Sequence, residues 1–169
     1  MSISMYSASV PAFARLLANM NQWLDAARVH AEAKKFDPAV YLTLRLTPDM
    51  LAFPRQIQIA SDAAKGCVAR LAGQEVPSWP DDETSLEQLA ARIARTRDFV
   101  LSVPAEAFNG SEDRDIVIPR RDAEPRRFKG ETYLHHFAMP NFYFHATMTY
   151  ALLREAGVPL GKADYLGAL

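Results

Sequence analysis

At 169 residues the chain is long enough to bury one core without disulfide or metal staples. Nineteen basic and twenty acidic residues leave a net charge of −1, which excludes the cationic field that recruits nucleic acid or an anionic membrane, so neither is expected as a partner. The lone Cys67 excludes an internal disulfide framework and fits a reducing cytoplasm.

The opening residues, MSISMYSASVPAF, have neither a basic n-region nor a continuous apolar run, so a signal peptide is not expected. No stretch reaches the roughly 18 unbroken apolar residues of a membrane span. The expectation is one cytoplasmic domain over 1–169.

Residues 3–36 carry Tyr6, Val10, Phe13, Leu17, Met20 and Leu24 at three- and four-residue spacing, one face of a helix. Pro11 predicts either a start near Val10 or a bend, and Asp37-Pro38 closes the pattern. Residues 39–46 are an extended connector or one helical turn. Thr47 as cap and Pro48 at the first helical position predict the second helix, with Met50, Phe53, Ile57, Ala60, Ala64, Val68 and Leu71 inward and an end at Gly73. Asp49 and Gln56 then lie roughly 60–85° from the centre of that face, and Gln58 and Asp62 lie further away.

Residues 74–83 read as a proline-containing loop. Thr84 to Glu87 matches a capping box with Thr84 as cap. Leu86, Leu89, Ile93, Val100 and Val103 give the third helix its buried face, Arg92, Arg95, Arg97 and Asp98 its solvated side, and Pro104 its end. The β-branched run Asp115 to Pro119, the polar stretch RRDAEP and a return over Arg126–Lys129 predict a small hairpin. Its arginines alternate with acidic residues, the pattern of a solvated turn.

The last long helix, Glu131 to Gly157, holds His135, His136 and His145. At about 100° per residue, Leu134, Ala138, Asn141, His145, Met148 and Leu152 form one stripe, an apolar seam with an amide and an imidazole in its middle. His135 and His136 diverge by about 100°, and Pro140 predicts a kink. Phe142, Tyr143 and Phe144 cannot all face one core, so some should meet another helix, a ligand or a second subunit. A homodimer through a helix face is expected. The tail's Tyr165 and Leu166 should dock on the protein or on that partner.

The signatures GxGxxG, GxxxxGK[ST], GxSxG and HExxH are absent, and Cys67 sits among Ala64, Val68 and Leu71 as a core thiol. Buried Asn141 and His145 need partners, because an unpaired polar group costs about 1–3 kcal/mol. Three readings stay open: a structural network with Gln56 or Asp49, a small-molecule pocket, and a metal site at His145.

HATMTYALLREAGV, from His145 to Val158, resembles the HRGQLxxLLRxxGV ending of DinB/YfiT-like four-helix-bundle proteins, sharing His145, Leu152, Leu153, Arg154, Gly157 and Val158. MYSASVPAF, LTPDM and the block from Pro140 to Gly167 resemble a branch described only as a domain of unknown function. The resemblance implies an all-α, up-and-down four-helix bundle with a hairpin before the last helix. It also implies a divalent metal, such as Zn or Ni, on three histidines, and in some members a thiol S-transferase activity. Carried over, those positions fall on His145, on Asn141 and near Gln56, and no histidine lies between Asp49 and Gly73. The expected ligand-binding set is therefore Asp49, Gln56, Asn141 and His145, in a site without a full metal triad. A divalent-metal enzyme using His145 is the alternative.

Overall fold

The computed structural model describes residues 3–167. Four long helical segments dominate: α1 (Met5–Lys34), α2 (Phe53–Leu71), α3 (Leu86–Ser102) and a continuous stretch built from α4 (Gly130–Tyr133), a π-turn (Leu134–Ala138) and α5 (Met139–Glu155). A 3-10 turn, Pro38–Thr43, links α1 to α2, and α6 (Lys162–Leu166) closes the described chain. Strands β1 (Asp115–Arg120) and β2 (Ala123–Lys129) form the antiparallel hairpin, pairing Ile116 with Phe128 and Ile118 with Arg126. The chain is thus mostly helical with one small two-stranded sheet. Among the described residues no helix is long and apolar enough to cross a membrane.

The predicted faces are the buried ones. Val10, Phe13, Leu17 and Met20 of α1, Phe53, Ile57 and Ala64 of α2, and Leu89, Ile93 and Val100 of α3 are fully covered. α2 packs along α5, α1 along α3, and α2 along α3, so α2 has polar business on two sides. Pro11 does not start or break α1: the helix runs on from a Ser4 cap, whose side chain exchanges hydrogen bonds with Ser7. Gly130 lies so close to the Ser111 carbonyl that a Cβ would sit 1.8 Å from its oxygen, which pins the hairpin's base to the start of α4.

Several boundaries differ from expectation. α2 begins at Phe53, with Pro54 in its first turn, because the Phe53 N–H is taken by the Leu44 carbonyl at 2.8 Å. Thr47 to Met50 form a separate turn. The α3 cap is Ser85 rather than Thr84, and it is Gln88, not Glu87, that reaches back to the Thr84 N–H. The hairpin turn is shorter than RRDAEP, with Ala123 to Pro125 already in β2.

Arg92 is the largest correction. It is not on the solvated side: its side chain is 3% exposed and meets Asp62, Asp81 and Glu83 at 2.8–3.1 Å. The loop before α3 folds back over α2 and carries these carboxylates inward. Gln58 is buried by the same loop and donates to Glu83 at 2.8 Å. Arg92 lies only about 60° from Leu89 on the helix, so the edge of the apolar face carried the signal. The tail docks on its own chain: Tyr165 stacks on Trp23, whose Nε1–H donates to the Asp164 carbonyl at 3.0 Å.

Candidate functional site

The seam between α2 and α5 gathers the polar residues that the sequence singled out. His145 is 9% exposed, and its Nδ1 lies 2.7 Å from Gln56 Oε1. The Gln56 amide is oriented by its other end, where Nε2 donates to the Leu51 carbonyl at 2.8 Å. The oxygen thus faces the ring. An oxygen can only accept here, so Nδ1 carries the proton and Nε2 the free lone pair. Burial pushes the His145 pKa down, and the nearby Arg55 charge adds to this, so the ring is neutral near pH 7. Nε2 has no hydrogen-bond partner among the described residues.

Asp49 is not part of this contact. Because α2 starts four residues later, helical phase does not apply to it. Asp49 is exposed in the Thr47 turn, and its carboxylate accepts from Thr47 Oγ1 at 2.5 Å. That hydrogen bond lowers its pKa, together with one to its own backbone.

Asn141 takes another direction from His145. It is half-buried, its amide makes no hydrogen bond among the described residues, and it lines a groove of about 160 Å³ between α2, α5 and the hairpin. Asp62 and Arg70 of α2, Ile118 of β1, and Tyr133 and Phe137 face the same space. Arg70 donates to the Tyr133 phenol oxygen at 3.1 Å. Burial raises the Tyr133 pKa to about 12, so the phenol keeps its proton.

The π-turn builds this wall. Pro140 has no N–H to give to the His136 carbonyl, and its ring would crowd it. The helix widens here, with the Met139 N–H bonded to the Leu134 carbonyl, five residues back. In a regular α-helix Tyr133 and Ala138 would diverge by about 140°. The wider turn advances each residue less, and Tyr133, Phe137, Ala138 and Asn141 line one groove.

The remaining candidates fall outside the seam. His135 and His136 are exposed. His30 meets the Tyr41 hydroxyl at 2.7 Å. Cys67 is fully buried and its thiol pKa is pushed up by burial. Of the three aromatics, Phe142 is in the core against Phe13, whereas Tyr143 and Phe144 are exposed.

The donors fit a three-ligand metal centre poorly. Gln56 spends its oxygen on the His145 ring, Asn141 opens onto a different space, and the described residues contain no group of three or more His, Cys, Asp or Glu able to hold a metal ion.

A family model described as a domain of unknown function (DUF1993) matches residues 5–166. The chain is also similar to a crystal structure of a DinB family member protein from Shewanella denitrificans, at 39% identity over 98% of this chain and 93% of that one, with a TM-score of 0.91. No curated protein matches it. Both likenesses span nearly the whole chain, hairpin and π-turn included, and the protein therefore belongs to the DUF1993 family and has a DinB-like fold.

Proposed function

We propose that this protein is a four-helix bundle that binds a small molecule in the α2–α5 groove without a full metal triad. The observation that supports this reading is the division of the seam. His145 is closed on Gln56, whereas Asn141, four residues earlier, presents an unused amide to a groove. A mostly apolar cleft with a few convergent polar groups is the usual form of a small-molecule site. His145 and Gln56 then hold the two helices in register beside that cleft.

The test is an NMR fragment screen on protein purified without a histidine tag, reading the Asn141 side-chain amide and the His145 ring. Fragments that saturably shift the Asn141 amide, and lose that effect in Asn141→Leu, are the expected result. A screen in which no fragment moves that amide overturns the reading. So does Zn or Ni binding at one equivalent with loss in His145→Ala, which would instead install the divalent-metal enzyme.

A further inference from the structure

The groove beside Asn141 also carries information about what it would hold. Arg70 forms no ion pair with a carboxylate among the described residues, and its one hydrogen bond there goes to a phenol. It can lie against α2 because position 66 is glycine: a Cβ there would sit 2.5 Å from Arg70 Nη1. The groove's acid, Asp62, is already engaged, by Lys65 at 2.6 Å and Arg92 at 3.1 Å. The cation facing the groove is therefore the one left without a counter-charge.

We propose that this groove binds a small monocarboxylate with a one-ring planar body, its carboxylate on the Arg70 guanidinium and its ring beside the Asn141 amide. A guanidinium fork matches a carboxylate in geometry and charge. The Tyr133 hydroxyl, which accepts from Arg70, keeps its own proton to donate. The body of the ligand meets aromatic and aliphatic walls: the Tyr133 and Phe137 rings lie 6.0 Å apart and near parallel, with Ile59, Ala63 and Ile118 around them. A volume of about 160 Å³ suits one ring rather than a nucleotide or a peptide. A phosphate dianion fits less well, because the groove lining offers its second charge the acid Asp62 and no cation besides Arg70.

This inference rests on the groove being a binding site at all, and the experiment separates the two. Benzoate, benzamide and inorganic phosphate are titrated into the wild-type protein, followed by the Arg70 Nε–H and Asn141 side-chain signals. Benzoate is expected to saturate, with benzamide and phosphate each at least tenfold weaker. Arg70→Gln should weaken benzoate at least tenfold. Gly66→Ala, which keeps the guanidinium but displaces it from its resting position, should weaken it by a smaller factor without lowering the melting temperature. Equal binding of benzoate and benzamide, or tighter phosphate, overturns the carboxylate assignment while leaving a small-molecule groove. Failure of every probe to shift Asn141, in this titration and in the fragment screen, overturns both. If Arg70→Gln does not fold, the ligand comparison on the wild-type protein decides alone.

Discussion

Helix α2 faces two polar interfaces of opposite character. Toward α3 and its preceding loop, Arg92 and Lys65, both nearly fully buried, meet Asp62, Asp81 and Glu83, and the Lys65 ammonium and Arg95 guanidinium each lie over the Trp79 ring at 4.3 Å. Toward α5 the polar groups are a neutral imidazole, the Gln56 amide, the open Asn141 amide and one half-buried cation, Arg70, bonded to the Tyr133 phenol. Charge taken out of water must be matched in place, so the α3 side is committed to holding its loop. Neutral amides cost less to leave half-satisfied. The α5 side can therefore keep unused hydrogen-bonding capacity for a ligand, and the contrast predicts how each side responds to damage.

The largest effect is expected at Arg92. Arg92→Met leaves three carboxylates without their shared cation, and breaking a fully buried pair costs about 3–5 kcal/mol. Asp62 and Asp81 keep contact with water, so the expected loss in urea denaturation is at the low end, about 3 kcal/mol. His145→Ala comes next, at about 1–3 kcal/mol, because it strands the Gln56 oxygen in a buried seam. If His145→Ala costs more than Arg92→Met, the contrast between the faces is reversed.

The two faces should also separate by pH. The folded-state pKa of His145 is below its ordinary 6.5, so the unfolded chain binds the proton more tightly. Its stability contribution is fully present above about 6.5 and is lost as the pH falls from there toward the folded value. Burial pushes Glu83 up, but hydrogen bonds from Arg92 and Gln58 outweigh this and hold its pKa below the ordinary 4.5. Its contribution is present above 4.5 and fades as the pH falls through the lower folded value. Stability measured against pH should show a first decline below about 6.5 that is absent in His145→Ala, and a second below 4.5 that is smaller in Arg92→Met.

The smallest effect is expected at Arg55, which is half-exposed, pairs with Asp81 and repels the His145 imidazolium. Arg55→Gln should change stability by only about 0–1 kcal/mol. It should also move the His145 titration upward, toward 6.5, when followed by NMR. A downward move would show that Arg55 is not acting through its charge.

The fold was largely legible in the sequence because helical periodicity and the family-like ending act over whole segments. His145 and Gln56 were legible for the same reason: both lie within regular helix, where phase decides direction. Asp49 was not, since the chain upstream of Pro54 is a turn, and angular reasoning assumes a helix that is absent there. Arg92 was misread because helical phase puts it only at the edge of the apolar face, and the loop that covers it carries no periodicity. The Asn141 groove was half-legible. Pro140 signalled an irregularity, but a bend and a π-turn have the same sequence cue, and only the π-turn brings Tyr133 and Ala138 to one wall.

The central claim is that the His145 end of the α2–α5 seam is neutral, with His145 closed on Gln56 through Nδ1–H. Long-range 1H–15N spectra of histidine-labelled protein at pH 7 test it directly. The account predicts a neutral His145 protonated at Nδ1 with a free Nε2, and loss of that preference in Gln56→Leu. An imidazolium, or a ring protonated at Nε2 in the wild-type protein, would contradict it.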